Sequence, residues 1–489
     1  MSEVLESPSS TVPHPRGLYT LFFTEMWERF SFYGMRALLV LFMTAETSKG
    51  GMGFSPSLAG AVYGLYTAGV YLGALPGGWV ADRLIGARRA VWCGGTIIAI
   101  GHFVLAAPGS KSFFLGLMLV AIGTGLLKPN VNVLVGSLYP EGGARRDAGF
   151  TIFYMGINVG AMLGPLCCAW LGETINWHLG FAMAGVGMVG GLIQFGFSEH
   201  YLGDAGLAPT TSATVRRDWS LVIGALATGF LFVILLWTGI LVIDPIWIAH
   251  RTAYVLVLLA IGFFGYLFLF GHLDANETKR VGLIAILFVA AALFFAGFEQ
   301  QGSSFTLFAD KFTQHTIGKW EVPTGWFQMI NPIFVISLAP VVAATWLWLA
   351  KRRCEPSLGT KFGIALLLMG AGFHVMMVAA WRAIDGPVWP TWLIFAFLLH
   401  TIAELCLSPV GLSSVTKLAP PRFVGQMLGL WFLATAIGNL IAGLAAGEAA
   451  TEPAKLSHLF QSVSLWAIAG GVLLLCLAWP MKQMMAGKE

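Results

Sequence analysis

The chain has 489 residues, 57% of them hydrophobic and 11% charged, and a mean hydropathy of +0.77. Soluble domains carry roughly 25% charged residues, so this composition excludes a soluble globular protein and points to an all-α polytopic membrane protein. The net charge of +4 comes from Lys and Arg spread over short connections; they form no basic stripe, and no nucleic-acid partner is expected.

The first 17 residues are polar, with Pro13 and Pro15. They lack the basic start, short apolar core and small-residue site of a cleaved signal and read as a tail. Apolar runs long enough to span a bilayer then fall at about 18–43, 57–81, 90–107, 112–138, 148–171 and 178–199. Two follow at about 219–240 and 251–271, and six more at about 281–309, 326–350, 361–381, 390–416, 423–445 and 459–483. The expected organisation is a tail (1–17), a six-helix bundle (18–199), a linker with two extra helices (200–280), a second six-helix bundle (281–483) and a tail (484–489). The extra pair carries no acid or base deep in its apolar runs and reads as a peripheral insert.

Loop charge tests this count. With a cytoplasmic N-terminus, 18 Lys and Arg fall on the cytoplasmic side and 7 on the other. That bias is what a correct topology requires, and dropping one span would erase it. Both termini are therefore expected in the cytoplasm.

The first span is the anomaly. Phe22–Met43 carries Glu25, Glu28, Arg29 and Arg36. Taking Glu25 as zero on a helical wheel, Glu28, Arg29, Phe32, Arg36 and Tyr33 all lie within about 80° of it. A charge left at the centre of a membrane helix costs about 2.5–3.5 kcal/mol on the insertion scale. Such a face is tolerable only against water or opposite charge inside a bundle. After the second span, GGWVADRLIGARRA places an acid and several Arg beyond a glycine-rich helix end, and resembles the loop signature of the major facilitator superfamily.

Few other ionisable groups lie deep in spans: Lys128, Glu299 and Glu404, with His102, His374 and His400 expected to make interhelical hydrogen bonds. Four acids (Glu25, Glu28, Glu299, Glu404) then face three bases (Arg29, Arg36, Lys128), a difference of one proton. Interhelical ion pairs alone are poor glue, so the set indicates a central polar cavity on a substrate and proton path. Its neighbours weaken helices: Pro129 after Lys128, Gly302 after Glu299, Ser408 and Pro409 after Glu404, Pro332 after Asn331, and glycines about Asn158. Such interruptions point to a transporter site. Tyr71 reads equally as packing or pocket, and Trp431 is the tryptophan to test as a pocket wall. No clustered metal ligands and no HExxH or GxSxG motif occur, so neither a metal, a cofactor nor an enzymatic activity is expected.

Glu25-x-x-Glu28-Arg29-Phe30-x-Phe32-Tyr33-Gly34 resembles the E-x-x-E-R-F-x-Y-Y-G signature of the proton-dependent oligopeptide transporter (POT/PTR) family. The resemblance continues through VADRLIGARRAV, GTGLLKPNVNVLVGSLY, RRDAGFTIFYMGINVGA, FEQQGSSFTLFAD, ELCLSPVGLSS and PRFVGQMLGLWFLA. It implies a major facilitator fold of 6+6 helices with a two-helix insert, and a proton-driven symporter of di- and tripeptides in a bacterial cytoplasmic membrane, expected as a monomer. It further implies that Arg36, Lys128 and Asn158 hold the peptide carboxylate, and that Glu404, with Asn331, meets the amino group. Glu25, Glu28, Arg29 and Lys128 would couple the proton, Arg36–Glu299 and Lys128–Glu404 would be ion pairs between halves, and Tyr33, Tyr71, Ser408 and Trp431 would line the pocket. Phe32 departs from the family Tyr, Phe295 stands where some relatives carry Trp, and the second span lacks the His of animal members. A facilitator for a nitrate-like anion or a drug is the competing reading; the anion carrier needs the basic wall but not Glu404.

Overall fold

A computed structural model describes residues 13–141, 143–208, 215–449 and 452–485; most of both expected tails lies outside them. The first half contains α1 (Arg16–Thr44), α2 (Pro56–Val80), α3 (Ala87–Leu105), α4 (Ser110–Ser137), α5 (Gly143–Thr174) and α6 (Trp177–Ser198). The extra pair is α7 (Val215–Trp237) and α8 (Pro245–Phe270). The second half contains α9 (Ala275–Phe298), α10 (Ser304–Phe312), α11 (Ile330–Lys351), α12 (Leu358–Arg382), α13 (Thr391–Leu418), α14 (Val424–Ala449) and α15 (Pro453–Met485). α9 and α10 are two pieces of one crossing, broken at Glu299–Gly302.

Twelve spans among the described residues are long and apolar enough to cross a membrane. α1, with its internal charges, and α3 complete the fourteen expected, in the order six, two, six. An even number of crossings puts both ends of the chain on one side, here termed the near side.

Local chemistry sets the helix starts. Ser55 caps α2 ahead of Pro56, and Asp244 caps α8 ahead of Pro245. Asp274 and Glu277 form a reciprocal capping box on α9. Accepting the Glu277 backbone N–H holds the Asp274 carboxyl below its usual range. In the facilitator-type loop, Gly86 turns the chain at φ +81°, and Arg88 donates to the carbonyls of Gly203 and Ala205. The loop thus ties two helix ends together, as its charges suggest.

Each half has its own apolar core. α1 packs on α5 and α6, and α3 on α4; in the second half α12 packs on α13 and α15, and α9 on α14. The halves meet closely where α2 crosses α14 on the far side. A Cβ on Gly60 would strike the Gly443 carbonyl, and Ser57 Oγ donates to Gly447 O at 3.0 Å. α7 exposes Leu226, Phe230 and Leu231, whereas α8 buries Ala249 and Leu256 against α2 and α14.

Of the three histidines, only His400 makes the expected interhelical bond, its Nε2 lying 3.2 Å from Met369 O. His102 is buried with neither ring nitrogen partnered among the described residues. His374 is exposed on the outer face of α12.

Candidate functional site

Glu25, Glu28 and Arg29 lie on one side of α1, each 3% exposed or less. Arg29 Nε lies 3.2 Å from Glu25 Oε1 as an ion pair and donates more closely to Glu28 Oε2. Glu25 Oε2, Glu28 Oε1 and Arg29 Nη2 have no partner among the described residues. A buried polar group without a partner costs about 1–3 kcal/mol. Two carboxyl groups thus share one guanidinium. The Arg29 guanidinium also lies 5.0 Å above the Phe32 ring, a contact that needs an aromatic face and no hydroxyl.

Two turns further along, Arg36 Nη2 donates to Glu299 Oε2 at 2.7 Å and Arg36 Nε to the Tyr63 hydroxyl at 2.7 Å. Glu299 reaches Arg36 because the crossing breaks there: the chain leaves α9, makes a short tight turn and re-enters a helix at Ser304. Gly302 permits the approach, since a Cβ on it would collide with the Tyr63 hydroxyl and lie 2.7 Å from Arg36 Nε.

Beside this pair is a cavity of about 70 Å³ between the halves. The first half contributes Tyr33, Arg36, Tyr154 and Asn158; the second contributes Gln301, Gln328, Asn331 and Glu404. Asn331 Nδ2 donates to Glu404 Oε2 at 3.1 Å and to Thr401 Oγ1 at 3.0 Å, which orients the carboxylate. The cavity thus has a guanidinium on one wall and a carboxylate on the other. At about 30 Å³ per water, it has room for two or so water molecules.

Five of the expected pocket residues meet here: Tyr33, Arg36, Asn158, Asn331 and Glu404. Four do not line it. Lys128 directs its Nζ at the Tyr71 ring, 4.5 Å from the centroid, so these two form a separate group. Trp431 is buried edge-on against Phe295, ring centroids 6.2 Å apart. Ser408 is half-buried one turn beyond Glu404.

The Arg36–Glu299 ion pair is formed, whereas no Lys128–Glu404 pair within 4 Å occurs among the described residues. The halves meet on the far side, and Glu404 is turned toward Asn331. Lys128 remains within electrostatic reach of Glu25, Glu28, Arg29 and Glu299. Sequence reasoning did not single out Tyr63, Tyr154, Gln301 or Gln328. Tyr154 had a signal, one turn before Asn158 on the same face of α5, and Gln301 another, two residues from Glu299. Tyr63 and Gln328 had none.

The family model described as PTR2, POT family, matches residues 88–460. The chain belongs to the POT family. Among POT-related proteins, it is 42% identical to the peptide transporter YePEPT of Yersinia enterocolitica subsp. palearctica serotype O:3 (strain YE-P4), over 96% of this chain and 95% of that protein. It is 35% identical to a di-/tripeptide transporter of Lactococcus lactis subsp. cremoris, over 96% of each chain. A crystal structure of a peptide transporter POT in complex with sulfate superposes with a TM-score of 0.90 at 40% identity, covering 98% of this chain and 97% of that one. The fold is thus that of POT transporters, and the architecture of six, two and six helices is theirs.

Proposed function

We propose that the protein is a proton-coupled symporter that imports di- and tripeptides by alternating access. It works in a bacterial cytoplasmic membrane with both termini in the cytoplasm, catalyses no chemical transformation, and acts as a monomer without a cofactor. The observation that carries this reading is the cavity with Arg36 and Asn158 on one wall and Glu404 and Asn331 on the other. A peptide is a zwitterion with its termini several ångströms apart. A site that selects it needs a cation and an anion on opposing walls, and a cation alone would take any anion.

The charge balance supplies the coupling. Four acids face three bases in the membrane interior, so one bound proton neutralises the set and leaves room for a substrate without net charge. Glu25 or Glu28 takes that proton, because the pair shares one Arg29 and retains unpartnered oxygens. Neutralising Glu25 or Glu28 weakens their electrostatic hold on Lys128, which can then turn to the peptide carboxylate after rearrangement. One charge crossing 100 mV supplies about 2.3 kcal/mol.

The segments 18–199 and 281–483 act as the two moving halves, with Arg36–Glu299 opening and closing between them. Tyr33 lines the peptide site, while Tyr71, Lys128, Ser408 and Trp431 join it after rearrangement. A cavity of about 70 Å³ is too small for a dipeptide. The far-side closure of α2 on α14 means that cargo leaves toward the near side from this state.

Uptake of labelled dialanine into proteoliposomes under an inward proton gradient tests the proposal. Accumulation that collapses with the gradient is expected. Peptide uptake indifferent to pH, or transport of nitrate or a drug without peptide, overturns it.

A further inference from the structure

Before α11, residues Thr324–Met329 form a short helical turn that follows a two-stranded hairpin, β1 (Thr316–Ile317) and β2 (Trp320–Glu321). This turn belongs to the second half, yet it is held by the first. The backbone N–H groups of Thr324 and Gly325 donate to the two carboxylate oxygens of Glu173, at 2.6 and 2.8 Å. Glu173 lies in the last turn of α5, on the far side. Trp326 Nε1 donates to Leu166 O of the same helix at 3.1 Å, and its ring packs on the apolar core of the first half. Gly325 sits so close to α5 that a Cβ on it would lie 2.5 Å from Ala169 Cβ and 3.1 Å from Glu173 Oε1.

The same turn builds part of the cavity. Gln328 lines it, with Nε2 fixed to Thr306 Oγ1 at 3.0 Å, and Asn331, two residues past the turn, orients Glu404. One clamp therefore serves two ends: far-side closure and the placement of a cavity wall.

We propose that Glu173 is a positioning residue for transport. Its carboxylate clamps Thr324–Met329 from the opposite half, closing the far side and setting Gln328 and Asn331 against the peptide. When the halves part on that side, both N–H groups are released to water. This inference rests on the peptide-transport reading above. Hydrogen bonds to a charged acceptor are the strong class, and losing one shifts an equilibrium roughly tenfold to a hundredfold.

Amide hydrogen exchange over residues 324–329 of the full-length protein, with dialanine uptake alongside, tests the clamp. In Glu173→Ala, exchange at Thr324 and Gly325 is expected to quicken roughly tenfold to a hundredfold, and KM for dialanine to rise more than kcat falls. Glu173→Gln keeps one carbonyl acceptor; it should lie between wild type and Ala, and it carries the test if the Ala variant does not fold. Wild-type exchange in both variants overturns the clamp, and so does quickened exchange with an unchanged KM. A wild-type protein that carries no peptide sinks the transport reading instead, while the exchange result still judges the closure.

Discussion

Arg36 Nη2 and Glu299 Oε2 lie 2.7 Å apart on different halves of the molecule, both almost wholly buried. A buried pair contributes little net stability, but removing one partner strands a charge and costs about 3–5 kcal/mol. Glu299→Ala is therefore expected to lower Tm in detergent and abolish concentrative dialanine uptake. Adding Arg36→Ala should return part of the lost Tm. A double mutant whose Tm loss equals the sum of the two singles would show that the residues act separately.

Glu404 is the only acid lining the cavity opposite Arg36 among the described residues. In Glu404→Gln the amide cannot neutralise an ammonium group, so dialanine should bind roughly ten times more weakly or worse, and driven uptake should be lost. Competition is the sharper readout. N-acetyl-dialanine, which lacks the ammonium, should compete poorly in the wild type and as well as dialanine in the mutant. Equal discrimination in both proteins would remove Glu404 from this role.

Lys128 faces Tyr71 here and meets no carboxylate within 4 Å among the described residues. For Lys128→Ala we expect loss of proton-driven uptake. Exchange of labelled for unlabelled peptide without a gradient should survive better than accumulation, since Lys128 lies outside the cavity wall. Normal accumulation would refute its part in coupling.

Gly302 has no room for a side chain, whereas nothing lies within 4 Å of a Cβ placed on Gly69. Gly302→Ala should force Arg36 off Glu299 or Tyr63, lowering both Tm and uptake. Gly69→Ala, inside α2, should raise helix stability by a few tenths to about 1 kcal/mol and leave uptake intact. Thermal melts and uptake on the pair distinguish crowding at one point from a general intolerance of substitution.

α7 presents Leu226 and Phe230 outward, 65% and 68% exposed. Replacing either by Ala should change Tm by little and leave dialanine uptake at the wild-type level. A marked fall in uptake with an unchanged Tm would assign the extra pair a part in the cycle that its surroundings do not suggest.

The number and order of the crossings were legible because apolar runs and loop charge are read along the chain, residue by residue. The charged face of α1 was equally legible, since a fixed rotation per residue brings Glu25, Arg29 and Arg36 to one side. Burial cost required an opposite charge or water for each of Arg36 and Glu299; that they meet each other was implied only by the family resemblance. Partners chosen by packing were not legible. Tyr63 reaches Arg36 through the crossing of α1 and α2, and Gln328 reaches the cavity through a turn held by the opposite half. Lys128 illustrates the remaining difficulty: its charge announces that it matters, but which group it faces depends on how far apart the halves stand. His102 shows that a buried histidine does not guarantee a partner.

Arg36 holds two neighbours of different kinds, the carboxyl group of Glu299 and the hydroxyl of Tyr63. If the proposed cargo took the place of the Glu299 carboxylate, the Tyr63 hydroxyl would still hold the guanidinium. On the proposed transport reading, one carboxylate would replace another on Arg36, and the contact between the halves would be relieved by the cargo itself.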